Sequence, residues 1–263
     1  MSGPPLSGQE RGGHLLEPFV CSITARSPIL PAIRRRSPAG SCISGDSVST
    51  IHVFDVDHTI TRRSTGVRFL IEGVRMGIFP IRPLLSVPRF FLRYRLGRMT
   101  ARHLRSEIPM LKGKSRAEME RIAQQSFERR IRHDVYSDAE KLIQDLVARG
   151  SEVVLASLSL DLVVRPLADR LGVREIVATS FEFEEGACTG RLADGPVFNE
   201  EKSDRVLRLL SARGIAPEDC YFYTDSVNDL PLLRRVGHPI AVNPDRRLAK
   251  EAARRGWKVL RFY

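Results

Sequence analysis

The chain has 263 residues, of which 42% are hydrophobic and 28% charged, and it carries a net charge of +11 at neutral pH. This composition is typical of a globular protein and excludes a chain that is disordered over most of its length. No apolar run approaches the roughly 18 to 20 residues of a membrane-spanning helix. The four cysteines lack metal-binding spacing, and a chain of this size needs no disulfides, so we predict a cytoplasmic protein.

The excess positive charge lies in one segment of the chain. Residues 60–136 contain 18 arginine and lysine residues but six aspartate and glutamate residues, whereas the other segments are close to balance. A segment of this kind fits an anionic substrate, an anionic membrane surface or nucleic acid. An arginine-rich surface that only contacts solvent is equally consistent with the pattern.

The pattern of the chain changes near residue 50. Residues 1–48 are rich in proline, serine, glycine and arginine and lack hydrophobic periodicity, which predicts a disordered N-terminal extension without a secretory signal. From residue 50 onward, short apolar stretches alternate with helical patterns. This alternation predicts an α/β fold, a Rossmann-like doubly wound parallel sheet with helices on both faces.

The predicted elements of this sheet are short strands and amphipathic helices. We expect strands at residues 51–54, 152–156, 175–179, 220–223, 240–242 and 258–261. We expect helices between them at residues 137–148, 161–171, 200–212, 229–235 and 245–254. The stretch FEFEEGACTGRL (181–192) breaks the alternation and predicts an inserted hairpin with its turn at Glu185 and Gly186.

Residues 62–136 contain no strand pattern. Their periodicity predicts four helices at 66–76, 83–96, 101–111 and 116–132. They therefore form a predicted helical cap, inserted between two parts of the core, 49–61 and 137–263. Ligands bind at the carboxyl edge of open α/β sheets, and an insert mounted there can close over the site.

Acidic residues follow two of the predicted strands directly. Asp55 and Asp57 come after the first strand in IHVFDVDHT, and Asp225 and Asp229 come after the strand that begins at Cys220. Carboxylates brought together at one sheet edge repel each other unless a cation joins them. Because the ligands are oxygen atoms and no histidine or cysteine cluster is present, the sequence favours Mg²⁺ held by these four residues.

Two further segments fit phosphate chemistry. Ser157 ends the predicted strand of EVVLASLSLD, where its hydroxyl and the following N–H groups can bind phosphoryl oxygens at a helix start. Ser159 is the alternative, and we favour Ser157 because it is at the strand end. Lys202 lies in the first turn of a helix for which Asn199 is the expected N-cap. A lysine there opposes the helix dipole unless an anion lies beside it.

These residues together resemble a known family. In order and spacing, DVDHT (55–59), Ser157, Lys202 and the pair Asp225 and Asp229 resemble the four motifs of the haloacid dehalogenase (HAD) superfamily of phosphohydrolases. The helical insert resembles the type-one cap of its phosphoserine-phosphatase-like branch, subfamily IB. The resemblance covers residues 50–263.

The resemblance implies a role for each residue at the reacting phosphorus. Asp55 would be the nucleophile that becomes an aspartyl phosphate. Asp57 would protonate the leaving oxygen and then activate water. Thr59 would orient Asp57 or contact the phosphate, and Ser157 and Lys202 would bind the phosphoryl oxygens.

The resemblance also implies the metal site and marks two departures. Mg²⁺ would be held by Asp55, Asp225 and the backbone carbonyl of Asp57, with Asp229 in support. His58 stands where many relatives have glycine, and we expect its ring to face solvent. Ser64 stands where phosphoserine phosphatases of this branch carry a glutamate that binds the substrate amine, which argues against phosphoserine.

The sequence therefore predicts a Mg²⁺-dependent phosphatase that hydrolyses a phosphomonoester of a small anionic metabolite. One alternative is a phosphatase of lipid phosphates at a membrane surface, because residues 76–99 combine apolar residues with arginines. We prefer to assign these apolar residues to the core of the cap. Transfer to an acceptor other than water is a further alternative. A nucleic-acid-binding module and a dehalogenase are both disfavoured by the intact acidic motifs.

Overall fold

A six-stranded parallel sheet forms the centre of the fold. The computed structural model describes residues 50–82, 84–85, 88–89 and 108–263. The strands of the sheet are β1 Ile51–Asp55, β2 Glu152–Leu160, β3 Glu175–Thr179, β6 Cys220–Thr224, β7 His238–Val242 and β8 Lys258–Leu260. Their order in the sheet is β3-β2-β1-β6-β7-β8, and the strands β4 Phe181–Glu184 and β5 Ala187–Leu192 form a separate antiparallel hairpin. The predicted α/β doubly wound fold is confirmed.

Helices connect the strands and flank the sheet. They are α1 Thr65–Arg75, α2 Arg116–Ser126, α3 Ser137–Ala148, α4 Asp161–Leu171, α5 Glu200–Ala212, α6 Leu230–Leu233 and α7 Arg246–Arg255. Short 3₁₀ turns occupy Pro109–Leu111, Pro217–Asp219 and Val227–Asp229. After α2 the helix continues as a π-helical turn, Phe127–Ile131, and a last turn, Arg132–Asp134.

The side chains of the strands alternate between two buried cores, one on each face of the sheet. Phe54 of β1 packs in the core that α1 to α4 cover. Val53, one residue earlier, packs in the core formed with α5, α6 and α7. Successive strand residues point to opposite faces, so a strand such as IHVFD that is buried throughout requires helices on both sides.

The capping residues of two helices fix where those helices begin. Ser115 forms a capping box with Glu118 at the start of α2. Asp245 accepts hydrogen bonds from the N–H groups of Arg247 and Leu248, both 2.8 Å, at the start of α7. Both are standard signals for a helix start in a sequence.

The hairpin β4–β5 joins the helical segment to the rest of the fold. The Ile108 N–H donates to the Gly190 carbonyl at 3.0 Å, and Cys188 exchanges backbone hydrogen bonds of 2.8 Å with Gly113 and Lys114. The hairpin that the sequence predicts is therefore present, and the structure adds its role as a support for residues 108–115.

Some predicted elements differ from the structure. Strand β2 continues through Ser157 to Leu160, with an irregular register against β3, so Ser157 is inside the strand rather than at its end. The predicted helix 229–235 is a 3₁₀ turn followed by the four-residue α6. Most of the predicted helix 83–96, most of 101–111 and the N-terminal extension 1–48 lie outside the described residues. The boundaries of cap and core stay a prediction. Within the described part of the chain, no helix combines the length and apolarity needed to cross a bilayer.

Candidate active site

Three strands bring the predicted site residues to one edge of the sheet. In the β1–β2 register Asp55 is opposite Ala156, so Ser157 follows directly beside it. In the β1–β6 register Phe54 is opposite Tyr223, which places Asp225 just beyond the end of β6. The carboxyl ends of parallel strands meet at the same edge, where open α/β sheets bind their ligands.

Asp55 and Lys202 form a buried ion pair at this edge. Their side chains are 5% and 3% exposed, and Lys202 Nζ lies 2.7 Å from Asp55 Oδ1. Lys202 is in the first turn of α5, where Asn199 occupies the N-cap position with a φ of 55° and no side-chain capping bond. The carboxylates thus supply the anion that a lysine at a helix start requires.

Lys202 also contacts Asp229. The distances from Nζ to Asp229 Oδ1 and Oδ2 are 3.0 and 3.1 Å. The hydroxyl of Thr224 donates to Asp229 Oδ2 at 2.7 Å. Both oxygens of Asp229 are therefore directed at Lys202 and Thr224, so in this structure Asp229 positions the lysine.

Thr59 links Asp55 to the loop after β6. Its hydroxyl donates to Asp55 Oδ2 at 3.0 Å and accepts the N–H of Asp225 at 2.9 Å. Its partners here are Asp55 and Asp225, and its expected roles toward Asp57 or phosphate stay a prediction. The fully buried Thr59 fixes the rotation of Asp55 and its distance from Asp225.

Asp57 is held at the first turn of α1. Its Oδ1 accepts the N–H of Thr65 at 2.8 Å and lies 2.7 Å from the Thr65 hydroxyl. Its Oδ2 accepts from the hydroxyls of Ser159 at 2.9 Å and Ser64 at 3.2 Å. The sequence analysis did not identify Thr65, whose type and position carry no motif, and considered Ser159 only for phosphate binding.

Ser157 is buried beside these groups. Its Oγ accepts the N–H of Ser159 at 3.0 Å, and the side chain is almost completely inaccessible to solvent. The hydroxyl of Ser157 therefore organises the backbone turn that carries Ser159. Its predicted contact with phosphate stays a prediction.

Asp245 is a second residue that the sequence analysis did not assign to the site. Its backbone N–H donates to the Asp225 carbonyl at 2.8 Å, and its Oδ2 accepts the N–H of Val227 at 2.8 Å. The same carboxylate caps α7, so it ties that helix to the loop 225–229. The sequence NPD before a helical pattern indicates a cap, but not a contact with a distant loop.

The electrostatics of the site are dominated by burial and by an excess of negative charge. Burial raises the pKa of Asp55 to about 7, and Asp229 and Asp57 add to this shift while Lys202 opposes it. Burial raises the pKa of Asp225 well above its usual range, and Asp55 and Asp229 add to it. Burial alone would lower the pKa of Lys202, but Asp229 and Asp55 raise it above its ordinary value, so the lysine keeps its charge.

The donor set fits a hard cation. Among the described residues, no three histidine, cysteine, aspartate or glutamate side chains form a ready-made ligand set. The expected magnesium site would use only two carboxylate side chains, those of Asp55 and Asp225, together with the backbone carbonyl of Asp57. It therefore does not count as a set of three such side chains. Asp225 Oδ1 is buried and has no hydrogen-bond partner in the part of the chain that the structure describes. A buried carboxylate oxygen needs a partner, and oxygen-only donors suit Mg²⁺.

The two departures from the family pattern have clear structural positions. His58 adopts a φ of 67°, in the left-handed region that favours glycine, and its Nδ1 lies 3.2 Å from the Arg62 carbonyl. Ser64 is the N-cap of α1, where its Oγ is 3.5 Å from the Val67 N–H that it accepts. No acidic residue lies in the first turn of α1.

An open parallel sheet with carboxylates and one buried lysine at its carboxyl edge defines the class of α/β enzymes that react with their ligands at this edge. The model of the family described as "haloacid dehalogenase-like hydrolase" matches residues 52–234 of this chain. The chain belongs to this family, and the predicted superfamily is confirmed.

Known proteins show the same relationship. A probable phosphatase of Mycobacterium tuberculosis (strain ATCC 25618 / H37Rv) is 33% identical over 236 residues, which cover 88% of this chain and 82% of that protein. A crystal structure of a Bordetella pertussis Tohama I protein of unknown function is 30% identical, with a TM-score of 0.69 over 80% of this chain and 97% of that one.

A structure of a phospho-aspartyl intermediate analogue of phosphoserine phosphatase shares the fold. Its TM-score is 0.59 at 20% identity, over 81% of this chain and 92% of that one. The predicted enzyme class, a phosphoric monoester hydrolase, is confirmed by the family and its phosphatases.

Proposed function

We propose that the protein is a Mg²⁺-dependent phosphatase that hydrolyses a phosphomonoester of a small anionic metabolite through an aspartyl-phosphate intermediate. The observation that carries this proposal is the pairing of Asp55 with Lys202 beside Asp225, whose buried Oδ1 has no hydrogen-bond partner among the described residues. One carboxylate is thus oriented by a cation and a hydroxyl, while the adjacent carboxylate has an oxygen free for a metal ion.

In the first step, an oxygen of Asp55 attacks phosphorus and the bond from phosphorus to the ester oxygen breaks. Asp57 gives its proton to the departing oxygen. The hydrogen bond from Thr59 and the contact with Lys202 fix the orientation of Asp55 for this attack. Lys202 also neutralises negative charge on the oxygens of the transferred phosphoryl group. Catalysis of phosphoryl transfer depends mainly on such electrostatic stabilisation and on positioning.

In the second step, Asp57 takes a proton from a water molecule as that water attacks the aspartyl phosphate, and Asp55 and inorganic phosphate are released. Asp55, Asp225 and the backbone carbonyl of Asp57 would hold Mg²⁺, which would supply further positive charge to the phosphoryl oxygens. Thr59 and Asp245 fix the loop that carries Asp225, through bonds of 2.9 and 2.8 Å.

The substrate class follows from the charges around the leaving group. Residues 60–136 contain 18 basic residues against six acidic ones and therefore account for the excess of positive charge in the chain. The first turn of α1 contains no acidic residue, and its Ser64 hydroxyl bonds Asp57. An ammonium group on the substrate would therefore find no carboxylate there, which favours an anionic leaving group over phosphoserine.

Turnover of 4-nitrophenyl phosphate tests the proposal. We expect hydrolysis with Mg²⁺, loss of activity with EDTA, and recovery when Mg²⁺ is added back. Asp55→Asn removes the nucleophile and should abolish turnover, whereas Asp145→Asn, an exposed acid on α3, should leave it unchanged. Mass spectrometry of acid-quenched protein should locate the phosphoryl group on Asp55. Full activity in Asp55→Asn would refute the nucleophile assignment. The same assay with added alcohols measures transfer to other acceptors.

A second candidate, a phosphatase of lipid phosphates at a membrane surface, is favoured by one observation. Ile81 and Leu85, in the stretch 76–99, are 63% and 77% exposed. The neighbouring Arg82 and Arg89 are also exposed. Exposed apolar residues interleaved with arginines suit an anionic bilayer surface.

Vesicle binding separates the two candidates. A lipid phosphatase should bind vesicles that contain phosphatidylserine at low salt and release them at high salt. The double variant Ile81→Ser, Leu85→Ser should bind less while its hydrolysis of 4-nitrophenyl phosphate is unchanged. Failure to bind such vesicles at low salt would leave the soluble metabolite as the substrate.

A further inference from the structure

Asp57 accepts hydrogen bonds at both carboxylate oxygens, and the partners include residues of two separate elements. Thr65 belongs to α1, the first helix after the motif, and Ser159 belongs to β2 of the sheet. The hydroxyls of these two residues also contact each other, with Thr65 Oγ1 2.8 Å from Ser159 Oγ. Both side chains are buried.

We infer that Ser159 is a positioning residue, whose hydroxyl, fixed by Thr65 and by the turn at Ser157, holds the Asp57 carboxylate in the orientation from which it transfers a proton. This inference rests on the proposed function, because it requires a proton transfer at Asp57. It differs from phosphate binding, the role that the sequence suggested as the alternative for Ser159.

Both oxygens of Asp57 have a hydroxyl partner, but only Oδ1, which lies 2.7 Å from the Thr65 hydroxyl, also has a backbone N–H partner in the described part of the chain. Oδ1 accepts a backbone N–H, that of Thr65, at 2.8 Å, and an N–H can only donate. Oδ2 has two hydroxyl partners, Ser159 at 2.9 Å and Ser64 at 3.2 Å. A hydroxyl can rotate and either donate or accept. Oδ2 is therefore the oxygen that can gain and lose a proton without leaving a buried donor facing a donor.

The residues around Ser159 hold its hydroxyl in place beside Asp57. Its N–H donates to Ser157 Oγ at 3.0 Å, which fixes the backbone before the start of α4. A Cβ at Gly66 would lie 3.4 Å from Ser159 Oγ, so the first turn of α1 approaches the hydroxyl closely. The side chain is 8% exposed. These contacts fix the position of the hydroxyl relative to both elements.

If Ser159 orients Asp57, its loss should change how the rate of hydrolysis depends on the basicity of the leaving group. An ester oxygen that leaves as a stable phenolate needs little help from an acid, whereas a basic oxygen needs a proton as the bond breaks. Loss of Asp57 orientation should therefore slow substrates with basic leaving groups most. A general loss of structure would slow all of them equally.

A series of substituted phenyl phosphates, which vary in leaving-group basicity at nearly constant size, provides the test with the full chain. In Ser159→Ala, kcat/KM should fall by about tenfold or more for phenyl phosphate, as expected for loss of a hydrogen bond to a charged group, but little for 4-nitrophenyl phosphate. The slope of log kcat/KM against leaving-group pKa should therefore become steeper. Ser159→Thr keeps the hydroxyl and should restore the slope of the original protein.

Two further variants keep the test decisive. Thr65→Val removes the hydroxyl that contacts both Asp57 and Ser159 but keeps the N–H, so it should steepen the slope even if Ser159→Ala does not fold. Thr179→Val removes another buried hydroxyl at a strand end, which accepts the Val197 N–H, and should leave the slope unchanged.

The outcomes separate this inference from the proposed function. If Ser159→Ala lowers kcat/KM equally across the series, or weakens inhibition by inorganic phosphate in proportion, Ser159 binds phosphate and the positioning role is wrong. If the original protein hydrolyses no member of the series while it binds inorganic phosphate, the proposed function itself fails. A steeper slope with unchanged inhibition by phosphate supports the positioning role.

Discussion

Two buried carboxylates in different regions of the molecule have opposite surroundings. At the sheet edge, Asp55 shares the cation Lys202 with Asp229, and further carboxylates lie nearby. In α1, the fully buried Glu72 has three arginine partners, Arg75, Arg129 and Arg130, at N···O distances of 2.6, 3.7 and 3.7 Å. Negative groups are in excess around Asp55, and positive groups are in excess around Glu72.

The difference distinguishes a reactive site from a structural one. A buried carboxylate whose cations outnumber it needs no further charge, and its loss affects mainly packing and stability. A carboxylate among other carboxylates is poised to accept another cation or an electrophile, and its pKa is shifted accordingly. The balance of charge around each acid, rather than its burial, indicates which one reacts.

Lys202→Met should have the largest effect. It removes the cation shared by Asp55 and Asp229 and leaves two buried carboxylates facing each other. We expect kcat/KM for 4-nitrophenyl phosphate to fall about 10²- to 10³-fold, the usual cost of one preorganised electrostatic contact, or about 3 to 4 kcal/mol. Steady-state kinetics with saturating Mg²⁺ measures it.

Lys141→Met, an exposed lysine on α3, is the matched control. Its activity should equal that of the original protein, because an exposed lysine contributes little to stability or to the site. Lys202→Met that retains full activity would show that the shared cation is structural, and the contrast with Glu72 would disappear.

Glu72→Gln should affect stability and leave catalysis intact. It removes the carboxylate that three arginines share, and these arginines keep partial contact with solvent, so the cost is below that of a fully buried pair. We expect the free energy of unfolding to fall by about 3 kcal/mol in urea titrations. The kcat of the folded protein should change less than twofold. Glu120→Gln, an exposed acid on α2, is the control and should change the free energy of unfolding by about 0.5 kcal/mol at most.

The contrast also shows what could be predicted from the sequence. Asp55, Lys202 and Asp225 were identified because strand ends and helix starts are visible as local patterns, and parallel topology brings them to one edge. The helices over Ser137–Ala148, Asp161–Leu171 and Glu200–Ala212 agree with the prediction because their hydrophobic periodicity is uninterrupted.

Residues that act through contacts distant in sequence were not predictable. Ser159 meets Asp57 across 102 positions, and Arg68 pairs with Asp134 at 2.6 Å across 66 positions. The Glu72 cluster forms where α1 approaches the π-helical turn Phe127–Ile131, and the sequence shows only a continuous helix there. Such contacts follow from how helices pack, which periodicity alone does not specify.

His52 provides a third case, a buried titratable group whose pKa shift is caused by burial and by another histidine rather than by an acid. Burial, with a smaller effect of His238, lowers its pKa from 6.5 to about 4. Its ring stacks on Tyr221 at 4.6 Å and its Nδ1 lies 3.1 Å from the Tyr223 hydroxyl. Between pH 4 and pH 6.5, His52 is therefore mainly neutral in the folded protein and mainly protonated in the unfolded chain.

Acid should therefore destabilise the fold through His52. The stabilisation is present above the unfolded pKa of 6.5 and is lost as the pH falls through the folded value of about 4. With partial solvent contact taken into account, the loss should be about 2 kcal/mol. Urea titrations of the original protein and of His52→Gln across this range should show a difference in stability that shrinks as the pH falls. A difference independent of pH would contradict the neutral, buried state of His52.

Ser115→Ala should have the smallest effect, and it acts at the start of α2. The Ser115 hydroxyl accepts the Glu118 N–H at 3.1 Å, and the Glu118 carboxylate accepts the Ser115 N–H at 2.9 Å, so one substitution removes half of this capping box. We expect a loss of about 1 kcal/mol in the free energy of unfolding, with kcat unchanged. Ser115→Asp, which can still cap the helix, should recover most of that stability. A fall in kcat with either variant would show that the start of α2 affects catalysis at the sheet edge. The separation between a structural region around Glu72 and a reactive region around Asp55 would then no longer hold.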